Sequence, residues 1–230
     1  AAEPAAESSP VEAESVSAAE EDVELEDIEL EVDIDFDDIE DLLKYAGMAP
    51  SAINLQPWEY VIVYGEEKDR LVQQLKRAHA ERNISCGPGT KNPLPDIFKA
   101  RSRRASQAMA ARVAEMGLEF NRFVEEGSCY FYGAPIVIIV TLDRLFPKIR
   151  YLDVGLSVSY LLLAAQAKGL ATCPIGLISA YAQDIAETLD IPPSKEVILG
   201  IALGYADRQS PINQFKTGRE NLDEIRRWYE

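Results

Sequence analysis

The apolar positions of the chain change their period several times, and each change predicts an element. From Glu21 to Phe36, apolar side chains alternate with carboxylates, most strictly at Ile28, Leu30, Val32, Ile34 and Phe36. That is the period of a half-buried strand, and a disordered acidic linker accounts for the same residues equally well. Residues 37–47 carry Ile39, Leu42, Leu43 and Ala46 at helical spacing, with Gly47 as a stop. WEYVIVY at 58–64 predicts a strand and 66–82 a charged amphipathic helix. The Gly/Pro-rich SCGPGTKNPLP at 85–95 predicts a loop, and 96–125 one long polar helix. APIVIIVTLD at 134–143 is a continuous apolar run, which predicts a strand covered on both faces. Residues 152–170 are apolar nearly all round and predict a central helix, with Asp153 as N-cap and Gly169 as its stop. A short helix near 180–189, an apolar strand at 196–203 and a polar, partly helical C-terminus complete an α+β pattern without internal repeats.

Composition divides the chain. Residues 1–20 are rich in Ala, Glu, Ser and Pro, bury too little to offset ordering entropy, and predict disorder. The expected organisation is an acidic leader over 1–33 and one domain over 34–230. Of 39 acidic side chains, 18 fall in residues 1–43, a stretch without Lys or Arg, and the formal net charge is -16. The rest of the chain is close to neutral.

This balance argues against nucleic-acid binding, which needs a basic surface for phosphate. No apolar run approaches the roughly 18 to 20 residues that span a bilayer, so no membrane partner is expected. The leader lacks the basic residues of secretory and organellar signals. Cys86, Cys129 and Cys173 are far apart in sequence, which suits a reducing compartment, here the cytoplasm, and gives neither a disulfide framework nor a zinc site. The single histidine, His79, lies in the polar stretch LVQQLKRAHAERN and reads as a solvated surface residue. Hydrolases built on an imidazole base and histidine-rich metal sites are therefore disfavoured. No GxGxxG fingerprint occurs. An enzyme with this inventory would take its chemistry from a cofactor.

Three segments stand together in a fixed order: APSAINLQPWEYVIV at 49–63, GLATCPIGLI at 169–178, and LGIALGYAD at 199–207 ahead of PINQFKTGRENLDEI. Over about residues 34–230 the chain resembles the FMN-dependent nitroreductase family, in particular the branch of nitroaromatic and nitrobenzoate reductases. The resemblance implies an α+β three-layer sandwich, a central, mostly antiparallel sheet flanked by helices, in a homodimer with FMN at the subunit interface. It implies that Pro50, Ser51, Ala52 and Asn54 approach the flavin from one subunit and Pro174, Ile175 and Gly176 from the other. A glycine at 176 lets a backbone N–H come close to a flat ring. Lys216 and Arg219 would hold the FMN phosphate, with Arg101, Arg103 and Arg104 as a second cationic group.

The family usually places arginines about 25 residues before the APS turn, where this chain has Val23, Glu24, Leu25, Glu26 and Asp27. The resemblance further implies NADH or NADPH as electron donor, ping-pong kinetics, and a small nitroaromatic, quinone or related acceptor, with no catalytic acid or base from the protein. Substrate choice would rest on residues 85–127 and on Tyr130, Phe131 and Tyr132, which read equally as core aromatics. Two other readings stay open. One is a flavin-binding or flavin-free interaction protein on the same fold; the other is an FMN enzyme for oxidation or reductive dehalogenation.

Overall fold

A computed structural model describes residues 34–87 and 92–230. The predicted disorder of 1–20 and the strand-like alternation as far as residue 33 lie outside these. Ile34 is buried without being in a strand, and Phe36 opens the first helix.

Helix α1 (Phe36–Gly47) starts at Asp35, whose carboxylate accepts the N–H of Asp37, and buries Ile39, Leu42 and Ala46 along one face. Strand β1 (Trp58–Tyr64) and helix α2 (Gly65–Arg82) fall where the pattern places them. The predicted helix 96–125 is instead two, α3 (Asp96–Glu115) and α4 (Phe120–Cys129). Gly117 takes φ +74 between them, a left-handed conformation that ends a helix at little cost for glycine. Strand β2 (Ile136–Asp143) follows, then α5 (Tyr151–Ala167). Asp153 does not cap α5: it sits in the first turn, buried, and pairs with Arg150 at 2.9 Å. The chain continues through β3 (Ala171–Ile175), a 3-10 turn at Leu177–Tyr181, α6 (Ala182–Thr188) and β4 (Lys195–Gly204), and ends with the short helix α7 (Leu222–Ile225).

The four strands form one antiparallel sheet in the order β1-β2-β4-β3. Strand β2 explains the two cores. Ile136, Ile138, Val140 and Leu142 face α1 and α5, while Val137 and Ile139 face α2, the 177–181 turn and α6. Because side chains alternate across a strand, a run apolar at every position must be covered on both sides, and the α+β three-layer sandwich is the result. Burying side chains of this size contributes about 1.5–3 kcal/mol each.

Candidate functional site

The residues singled out in the sequence occupy three places. The first is the turn between α1 and β1. Ile53, Asn54 and Gln56 have φ of 44°, 60° and 46°, and the turn is closed by Ser51 Oγ, which accepts the Gln56 N–H at 2.9 Å. Pro50 and Asn54 are exposed, and Ser51 and Ala52 half-buried. Left-handed backbone at a β-branched residue such as Ile53 is costly.

What holds this turn to the core is a buried relay that local sequence does not reveal. Ser157 of α5 donates to the carbonyl of Ala46 at 2.8 Å and lies 2.6 Å from Tyr60 Oη. Since the serine proton is committed to Ala46, the Tyr60 hydroxyl is the donor in the second bond. Burial pushes the Tyr60 phenol up from its ordinary value, with the Ser157 bond acting the other way.

The second place is the end of β3. Pro174 and Gly176 are exposed, and Ile175 is buried as an anchor. Nothing lies within 4 Å of where a Cβ on Gly176 would point, so this stretch of backbone is open on its outer side. Its inner side is fixed. Ser179 donates its hydroxyl to the Gly176 carbonyl at 2.8 Å, and Ile178 is fully buried. Tyr181, also fully buried, ends the turn with its hydroxyl 2.7 Å from His79 Nδ1, while Arg82 lies over its ring at 4.8 Å. His79 is therefore half-buried and bonded, not the solvated residue that its polar neighbours in sequence suggest. Its partner is 102 positions away, beyond the reach of any local pattern.

The third place is the C-terminal segment. Lys216 and Arg219 are exposed. Arg219 folds back on Thr217 Oγ1 at 2.8 Å and on the carbonyls of Thr217 and Gly218, and Lys216 makes no ion pair among the described residues. Glu220 next to them pairs with Arg101, at 3.2 Å, and with Arg104. Of the arginines at 101, 103 and 104 in the first half of α3, two are thus drawn to this segment, and Arg103 stays exposed.

The aromatic run 130–132 packs inward. Phe131 is fully buried, and Tyr132 lies against Gly127, 2.5 Å from where a Cβ there would be. Burial pushes the Tyr130 and Tyr132 phenols up to about 12, so both stay neutral hydroxyls in the physiological range. The three cysteines are free. Among the described residues no group of side chains could hold a metal, and no helix is long and apolar enough to cross a membrane.

The first two places do not meet within one chain. The 50–54 turn leads into β1 and Gly176 follows β3, the two opposite edges of the sheet. Three interstrand steps of about 4.8 Å separate them. Two hollows of about 320 Å³, one lined by Arg70, Gln74, Arg77 and Thr188 and the other by residues 62–67, contain none of the predicted residues.

Comparison with known proteins decides the family. The description "Nitroreductase family" matches residues 30–205. The chain belongs to the nitroreductase family. A 4-nitrobenzoate reductase of Pseudomonas putida is 29% identical over 193 residues, 79% of this chain and 81% of that protein. The crystal structure of the FMN-dependent nitroreductase NfnB from Mycobacterium smegmatis in complex with NADPH superposes with a TM-score of 0.77 at 27% identity, covering 86% of this chain and 90% of that one. An iodotyrosine deiodinase of Thermotoga neapolitana is 27% identical over 176 residues, 75% of this chain and 80% of that protein. The family, the oxidoreductase class and the nitroreductase fold expected from the three segments are borne out.

Proposed function

We propose that this nitroreductase is an FMN-dependent oxidoreductase that takes electrons from NADH or NADPH and passes them to a nitroaromatic, quinone or related small acceptor. Donor and acceptor bind in turn, so that the kinetics are ping-pong. The observation that carries the reading is the open backbone at Gly176, rigid on its inner side and clear on its outer side, in a chain matched to the family over 30–205. A flat ring needs such a surface: no side chain in the way and backbone donors held in place.

The residues present fit the cofactor. Ser51 retains its hydroxyl proton for an outside acceptor, because its oxygen accepts the Gln56 N–H. Asn54 presents an exposed amide, Pro174 and Ile175 shape the edge, and Ala52 keeps the turn small. Lys216 and Arg219 are the cations for the phosphate, one without an ion pair among the described residues and the other engaged only by neutral groups. Bound FMN would supply the electron-transfer chemistry. The protein itself binds, orients and excludes water.

The site is completed by a second copy of the chain. Helix α5 buries Asp153, Val154, Ser157, Val158, Leu161 and Ala165 on one side. On the other it exposes Leu152, Leu156, Tyr160 and Leu163, with Gly155 and Ser159 between them and no charge. A helix apolar all round is a buried helix, and an exposed apolar stripe of this extent marks an interface. A homodimer through α5 brings the 50–54 turn of one chain to the Gly176 edge of the other.

The first experiment is absorbance of the purified protein and titration with FMN. A flavin spectrum, bleached anaerobically by NADH or NADPH and restored by nitroaromatics, is the expected result. A colourless protein without measurable FMN binding overturns the proposal. The deiodinase relative supports a second reading, reductive dehalogenation; reoxidation by halogenated phenols in preference to nitroaromatics distinguishes it.

A further inference from the structure

The C-terminal segment lies along α3 as an antiparallel ribbon. At one end Ser210 Oγ is 3.9 Å from Met116 Sδ, just past the helix, and at the other Glu220 pairs with Arg101 and Arg104 in its first half. Residues 211–214 pack on the helix between these points. Helix α3 contributes little to the core, burying only Val113, so most of this unit is surface.

That surface is strongly basic. Residues 96–116 and 205–221 together hold eight Lys and Arg against four Asp and Glu. The carboxylates are largely spent: Asp96 on Lys99, Glu115 on Arg112 and Glu220 on the two arginines. Arg103 and Lys216 are exposed and make no ion pair among the described residues. Helix α2, also rich in cations, is by contrast nearly balanced, with five Lys and Arg against four acids over 65–82.

We infer that this face is the docking surface for the acidic segment 1–33 of the chain. The segment carries 13 Asp and Glu and no Lys or Arg, the complement of the face. It joins the described fold at Ile34, and 33 residues reach on the order of 100 Å when extended, ample for any point on the domain. Held by its own chain, the segment is present at high effective concentration, so several weak contacts suffice. Exposed charges of this kind attract within a Debye length of about 8 Å at physiological ionic strength, and the docking weakens as salt is added. Lys216 and Arg219 are also the cations proposed for the FMN phosphate, so segment and cofactor compete for that end of the face. Lys99 and Arg103 have no part in the proposed cofactor site and keep the test of docking separable from that reading.

Zero-length carbodiimide cross-linking of the full chain, which joins a carboxylate to an amine in contact with it, reads the docking directly. At low salt, peptides from 1–33 should couple to Lys99 and Lys216 severalfold more than to Lys68, Lys148 or Lys195, and high salt should abolish the preference. Arg103→Glu should reduce it without touching the Glu220 tether, and the double variant Arg101→Glu/Arg104→Glu should reduce it further where it folds. In a second measurement, heparin as a polyanion probe should bind the full chain severalfold more weakly than a chain whose 13 leader carboxylates are changed to amides. Coupling spread evenly over the lysines, or centred on α2, overturns the proposal. Equal heparin binding by the two chains does so as well, and would leave the face to an external polyanion.

Discussion

Two glycines at the end of β3 and in the strand beside it show how differently one methyl group acts across a single segment. Gly200 of β4 pairs with Ile175, and a Cβ there would lie 2.2 Å from Ile178 Cδ1 and 3.0 Å from Phe131 Cε1. At Gly176, a residue further along, the same methyl meets nothing within 4 Å, at an ordinary helical φ of -74°. Gly200→Ala should cost about 1–3 kcal/mol through overpacking, read by denaturant unfolding. Gly176→Ala should leave stability within about 0.5 kcal/mol yet weaken FMN binding in titration, because its methyl would occupy the surface proposed for the ring. The sequence exposes Gly176 through the CPIG string, but Gly200 is only one more small residue in an apolar run. Its role depends on Ile178 and Phe131, which come from elsewhere in the chain.

Elements were legible where their own side chains decide them and illegible where partners do. The strands at 58–64 and 196–203 are decided by their own apolar side chains and the helix at 37–47 by its helical spacing. Strand β3 was not predicted: ATCPI is short, contains proline and does not alternate, and it is a strand because β4 pairs with it. The break at Gly117 was hidden because polar helical residues continue on both sides of it. Attachment of α1 to α5 is a comparable case. Lys168, just past α5, reaches Asp38 at 2.7 Å and Asp41 at 2.9 Å, across a separation of well over 100 residues. The bond to Lys168, then that to Lys44, hold the Asp41 carboxyl below its usual range, and Asp38 and then Asp41 raise the Lys168 ammonium above its own. A lowered carboxylate stabilises the fold above its unfolded value of about 3.9 and loses that contribution as pH falls through the folded one. A raised lysine contributes below about 10.4 and loses it as pH rises through its folded value. Lys168→Met should therefore reduce the melting temperature at neutral pH and flatten its fall at both acid and strongly alkaline pH. Equal pH profiles for the variant and the parent would refute this.

At the scale of the whole molecule, the sheet order has the largest effect, because it places the two halves of the candidate site on opposite edges, and the proposed second copy of the chain follows from that placement. Leu156→Glu with Leu163→Glu puts charge into the exposed stripe of α5, away from both cores. The expected outcome in sedimentation is a folded monomer with parallel loss of FMN. Retention of FMN by that monomer would mean that one chain suffices. The same sheet order has another consequence. Register from Trp58↔Leu142 to Tyr64↔Ile136 closes the chain on itself across α2, α3, α4 and the loop between them. Everything inside that closure is a detour anchored at both ends, and doubling the length of a connection within it adds only about 0.6 kcal/mol of closure entropy. Lengthening the connection beyond Cys86, whose N–H is held by Glu125, and before α3 should therefore leave the sheet nearly as stable as before. That stretch is where the fold has room to diverge.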